Sequence, residues 1–159
     1  MDLTHRPRRL RRLESIRGLV RETRLDAGML IYPMFIVDGE GKREPIDSMP
    51  GQFRYSIDTC IEACRQNLEL GIAAVNLFGY CDDKNDDATG AYAADGLIPR
   101  AVAAIKAELP ELCVQTDVAL DPYTHHGHDG LVVGDEVVND PTVDVLCRMA
   151  LAHAAAGAD

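Results

Sequence analysis

Long apolar runs are missing from this chain, and so is an apolar segment behind its arginine-rich start. Nothing approaches the roughly 18 uninterrupted apolar residues of a membrane span, and the N-terminus lacks the apolar core of a secretory signal. The expectation is a cytoplasmic protein with no membrane partner. Paired CxxC spacing is missing too. Cys60, Cys64, Cys81, Cys113 and Cys147 are odd in number and scattered, which speaks against a disulfide framework and a zinc ribbon. Cys60, Cys64 and Cys147 fall on apolar helix faces, where buried, reduced thiols are expected. Neither GxGxxG nor GxxxxGK(S/T) follows a strand-like segment, so dinucleotide and P-loop readings lose support. Lysine is scarce, with Lys42, Lys84 and Lys106 the only three.

What is present is enough for one domain with a real core: 159 residues, 47% of them hydrophobic. The net charge of −10 hides an asymmetry. Residues 1–24 carry eight arginines against Asp2, Glu14 and Glu22, whereas residues 25–159 carry eight basic and 23 acidic side chains. A basic arm on an acidic body implies docking on an acidic surface, a neighbouring copy above all. Nucleic acid is the lesser candidate for RPRRLRR. No groove-reading motif accompanies it, and the acidic body repels phosphate.

In chain order, Leu13, Ile16, Leu19 and Val20 are spaced for a short helix that ends the arm. MLIYPMFIVDGEGK (29–42) reads as a strand buried on both faces, with Pro33 marking an end, a bulge or a short strand. Residues 43–55 read as a loop around Ser48-Met49-Pro50-Gly51. Ser56 then caps a helix whose stripe is Ile57, Cys60, Ile61, Cys64 and Leu68, and which ends at Gly71. A second strand follows over 72–80. The acidic stretch 81–95 is either a solvated excursion or a lid. The second helix spans 97–109 and the third strand 112–120. A third helix is capped by Asp140 and opened by Pro141, has Val143, Leu146, Cys147, Ala150, Leu151 and Ala154 as its stripe, and ends at Gly157. Strand and helix in alternation mean a parallel α/β fold, and one that stops after its third helix is expected to be cut short.

Chemistry concentrates in TDVALDPYTHHGHDG (116–130), on the loop beyond a strand's carboxyl end. Alternation along the strand would turn Asp117, Ala119 and Asp121 to one face and Val118 and Leu120 to the other. Asp121 and Asp129 flank the histidine loop. With Asp117 they suit either a hard cation or an ammonium group, or proton transfer between carboxyls that raise one another's pKa. His125, His126, His128 and Asp129 also suggest a metal site, though their spacing matches no defined zinc motif.

LIYPMFIVDG, SMPG, LGIAAVNLFG, TDVALDPYTHHGHDG, NDPTVDVL and ALAHAAAGAD, in that order, resemble the N-terminal half of the porphobilinogen synthase (5-aminolevulinate dehydratase) family, as RPRRLR resembles its arm. The resemblance covers Arg6 to Asp159. It implies the first three or so βα units of a TIM (β/α)8 barrel, with residues 1–24 as the arm and 25–159 as part of the barrel. It further implies condensation of two 5-aminolevulinate molecules to porphobilinogen through Schiff bases on two lysines, and a homo-octamer held by the arm. Zinc-dependent members carry three cysteines where this chain has Ala119, Asp121 and Asp129. The resemblance is therefore to the branch without catalytic zinc, whose magnesium would lie outside these residues. Asp117, Asp121 and Asp129 become the substrate and proton-handling wall. None of the three lysines matches the family's Schiff-base motifs, so these residues alone are expected to be inactive. Two other readings stand beside this one: a metal-dependent hydrolase or lyase using His126, His128 and Asp129, and a non-catalytic assembly module.

Overall fold

The computed structural model describes residues 4–5 and 7–159. Asp2, counted in the arm's charge, and Arg6, which opens RPRRLR, lie outside the described residues. The segment expected to be an arm contains a 3-10 turn at Arg9–Arg11 and a short helix α1 (Glu14–Leu19), neither burying a side chain. Residues 20–24, expected in that helix, lie beyond it.

The body is a sheet with helices packed on one side. Its elements are β1 (Ile31–Ile36), β2 (Arg43–Pro45), β3 (Phe53–Tyr55), α2 (Ile57–Glu69), β4 (Ala74–Gly79), α3 (Leu97–Glu108), β5 (Cys113–Thr116), a small hairpin of β6 (Val132–Val133) and β7 (Glu136–Val137), and α4 (Asn139–Ala155). The main sheet runs β2-β3-β1-β4-β5. It is parallel throughout except where β2 meets β3. The three expected βα units are there, but among the described residues the sheet stays open and closes no barrel. Asp159 N–H donates to the Val114 carbonyl at 2.9 Å, on the side of β5 away from β4.

Segment 43–55 corrects the sequence reading. It is a hairpin, because Ile46 N–H bonds the Gln52 carbonyl and the SMPG turn closes between β2 and β3. Strands of three residues are too short for periodicity to betray them.

Pro33 is tolerated for a reason visible in the register. Val37 N–H donates to the carbonyl of Tyr55 in β3 while the Ile36 carbonyl accepts from Tyr80 beyond β4, so odd-numbered residues of β1 turn their N–H towards β3. Pairing with β3 begins only at Phe35, and Pro33 therefore withholds a donor where no partner is due.

One sheet face is buried: Met34, Ile36, Val75, Leu77 and Val114 pack under α2 and α3 with Cys60, Cys64, Ala101, Val102 and Ile105. The opposite face, carrying Ile31, Phe35 and Phe78, is half open, so β1 is covered on one face and not on both as its apolar run implied. Phe35 and Phe78 stack across it at 5.5 Å between ring centres.

At the end of α2, Gly71 takes φ +82° and Ile72 N–H returns to the Asn67 carbonyl, the closure expected from the glycine. Ser56 does precede α2, but its hydroxyl accepts from Lys42 N–H and bonds Asp58 rather than a helix N–H, tying the chain before β2 to the helix start. Helix α4 also departs from expectation. It starts at Asn139, Asp140 sits inside its first turn, and its buried stripe is Thr142, Val145, Met149 and His153. Val143 and Leu151 are exposed, as is the thiol of Cys147. Both flanks of α4 are apolar, so helical periodicity alone left the inward face undecided.

Candidate functional site

Parallel strands end on the same side, and the reactive stretch starts there. Strand β5 stops at Thr116, four residues sooner than the alternation argument assumed. Asp117 still extends the ladder through its N–H to the Leu77 carbonyl at 3.1 Å. Its position continues the parity of Cys113 and Gln115, and its carboxyl enters the uncovered side of the sheet. Past it the alternation breaks: Val118 is 39% exposed and Leu120 fully buried. A 3-10 turn at Asp121–Tyr123, with Pro122 inside it, replaces the strand and carries Asp121 to the same place as Asp117.

The two carboxyls line a cleft of ≈ 400 Å³ together with Phe35, Phe78, Tyr80, Arg54, Lys84, Ser48 and Met49. Burial, then the charge of Asp129, pushes the Asp117 carboxyl above its ordinary range. Asp121 is raised by burial first, then by a side-chain contact with Asp129 and the charge of Asp117. The three aspartates named from sequence are thus electrostatic neighbours, Asp129 approaching from the far limb of the histidine loop.

The histidines do not join them. His126 and His128 lie with rings 5.4 Å apart, and His126 Nδ1 accepts from His128 N–H at 3.1 Å. Thr124, fully buried, donates to the His128 carbonyl and fixes the loop. Among the described residues no three His, Cys, Asp or Glu side chains converge on a common metal position. The set at 119, 121 and 129 offers two carboxylates and the methyl group of Ala119, which does not fit the soft-ligand chemistry of zinc.

The acidic stretch 81–95 is neither a free excursion nor a loose lid. Ala88 and Ala91 are fully buried against Leu120, Tyr123, Val145 and Met149. Asn85 N–H donates to the Tyr123 carbonyl at 3.0 Å, and the Asn85 side chain closes the turn onto Thr89. Tyr92 lies under the Arg148 guanidinium of α4, 3.9 Å from ring centre to Cζ. The stretch therefore braces the turn that presents Asp121.

Sequence reading missed the cationic half of the cleft. Arg54 lies over the Tyr80 ring at 4.4 Å, and Lys84 reaches the Asp121 carbonyl at 3.5 Å. Arg54 lies within the short strand β3 and Lys84 in the acidic stretch after β4, so no local pattern marked either. The other lysines have different business: Lys106 holds the Pro110 and Leu112 carbonyls and Asp159, and Lys42 belongs to the β2 approach.

A parallel α/β sheet with carboxyls on the loops beyond its strand ends defines the class: an α/β protein of the strand-end-site type, to which TIM barrels also belong. The particular family follows from comparison. A family model of delta-aminolevulinic acid dehydratase matches residues 4–159, and the chain belongs to that family. The enzyme of that name from Synechococcus elongatus is 48% identical over 98% of this chain and 49% of its own length. The one from Methanothermobacter thermautotrophicus is likewise 48% identical, over 98% of this chain and 48% of its own. The crystal structure of delta-aminolevulinic acid dehydratase (porphobilinogen synthase) from Toxoplasma gondii, in complex with the reaction product porphobilinogen, superposes with a TM-score of 0.93. It is 43% identical and covers 99% of this chain and 46% of that one. The chain spans about half the length of these relatives.

Proposed function

We infer that this chain supplies the carboxylate wall of a porphobilinogen synthase, which condenses two 5-aminolevulinate molecules to porphobilinogen with loss of water. The observation that carries the reading is the pairing of Asp117 and Asp121 on one cleft, both with raised pKa and both neighboured by Asp129. Carboxyls whose pKa is raised by burial and by neighbouring carboxyls take up protons more readily than ordinary carboxylates, and the condensation needs several such transfers. The amino group of 5-aminolevulinate complements the same wall, and its carboxylate the Arg54 and Lys84 side. The Schiff-base lysines of the family have no match among Lys42, Lys84 and Lys106, so the chain alone is expected to form no porphobilinogen.

Two further points belong to this reading. The carboxylates at 121 and 129 suit harder ions than zinc, which supports the branch without catalytic zinc and a magnesium bound elsewhere in the whole protein. The arm, basic and without a buried side chain, suits the acidic body of a neighbouring copy in a homo-octamer. Among the described residues no helix is long and apolar enough to cross a membrane.

The test is a chimera in which this chain replaces the matching half of the Synechococcus elongatus relative. Porphobilinogen formation from 5-aminolevulinate is expected, with a loss of about 100-fold or more in turnover on Asp117→Asn. A folded chimera without activity would overturn the assignment.

A further inference from the structure

Beneath β1, away from the carboxylate cleft, three sulfurs meet. Cys60 and Cys64 lie one turn apart on the inner face of α2 and Met34 faces them from the sheet; all three residues are fully buried. The Cys64 thiol donates to Met34 Sδ at 3.6 Å and the Cys60 thiol at 3.9 Å. Apolar side chains of the sheet and of α3, among them Val75, Leu77 and Val102, belong to the same core cluster.

Both sulfur–sulfur distances to Met34 have the dimensions of a coordination site. An ion in trigonal geometry with metal–sulfur bonds of about 2.3 Å holds its sulfurs about 4 Å apart. Two thiols and a thioether select a soft ion. They leave zinc short of its usual four ligands, and they offer nothing to magnesium or calcium. We propose that Met34, Cys60 and Cys64 form a binding site for a soft monovalent metal ion of the copper(I) class.

Charge balance favours a monovalent ion. Binding exchanges one thiol proton for one metal ion, forming a metal–thiolate bond at one of the two cysteines and releasing its proton to solvent, while the other cysteine stays a neutral thiol donor and Met34 a neutral thioether. Net charge in the core is unchanged, so the cost of burying an unpaired ion is avoided. Because all three sulfurs are buried, the ion enters when α2 opens locally from the sheet.

The probe is copper(I) supplied anaerobically as its bicinchoninate complex. The full chain and a C81S/C113S/C147S variant should each withdraw one equivalent that resists back-competition. M34L should weaken that equivalent by about tenfold or more, and C60A/C64A should abolish it with the far-ultraviolet circular dichroism retained. X-ray absorption on the loaded full chain should show three sulfur neighbours and no nitrogen or oxygen. If the triple variant does not fold, the comparison of full chain with C60A/C64A decides. Unchanged uptake in C60A/C64A, unchanged affinity in M34L, or a two-coordinate or nitrogen-containing shell would each overturn the site.

Discussion

Asp121 shows how much a single side chain owes to its neighbours. A carboxyl whose folded pKa is raised stabilises the fold below its unfolded value, and that contribution disappears as pH rises through the folded pKa. Asp121→Asn should therefore raise stability at pH 7–8, by roughly 0.5 kcal/mol or less because the group is largely solvated, and the gain should vanish below about pH 4. Denaturant midpoints across that range read it directly. His153 has the opposite sign. It is buried, bonded through Nδ1 to the Thr116 hydroxyl at 2.9 Å, and burial lowers its pKa. Stability should fall as pH drops below about 6.5, at up to about 1.4 kcal/mol per pH unit, and His153→Gln should flatten the profile. Cys81 is predicted to resist alkylation until pH approaches its pKa, pushed up to about 11 by burial and then by Asp38, whereas exposed Cys147 should react first. Mass spectrometry of pulse-alkylated chain checks the order. Little of this was legible in the sequence. That Cys147 lies on an apolar flank of α4 was visible; which flank meets the core was not.

At the scale of elements, the site loop is held by close packing around Gly130. A Cβ there would stand 2.5 Å from Val137 Cγ1 and 3.0 Å from Thr142 Oγ1, the hydroxyl that accepts from Leu131 N–H. Gly130→Ala should cost about 1–3 kcal/mol by separating the β6–β7 hairpin from α4, seen as a lower unfolding midpoint. Because α4 and segment 81–95 share the cluster around Tyr123, the same variant should shift the Asp121 carboxyl, measurable as an altered titration by carbon-13 NMR. The sequence located α2, α3 and α4 through periodicity and Gly71 and Gly157, and β1, β4 and the start of β5 through their apolar runs. It did not reveal the β2–β3 hairpin, the early end of β5 or the bracing role of 81–95. Each of these is set by contacts between segments distant in the chain, which leave no local pattern.

For the molecule as a whole, the governing fact is an open sheet whose second face carries Ile31, Phe35 and Phe78, with α4 exposing Val143 and Leu151. Unpaired edges and uncovered apolar surface favour association. The 159-residue chain should bind a hydrophobic dye and elute above monomer size in gel filtration. Elution as a monomer without dye binding would show that the face is covered some other way.

By itself, the sequence determined the class of fold, the family, and which stretch carries the carboxyls, because these depend on residue types at fixed local spacing. Tertiary structure decided which of those groups act on one another. Asp117 reaches the cleft by strand parity, Asp121 by a 3-10 turn, Arg54 from within β3 and Lys84 from the stretch after β4. Proximity across the sheet is a property of register and packing, and the same residues in a different register would share no cleft at all.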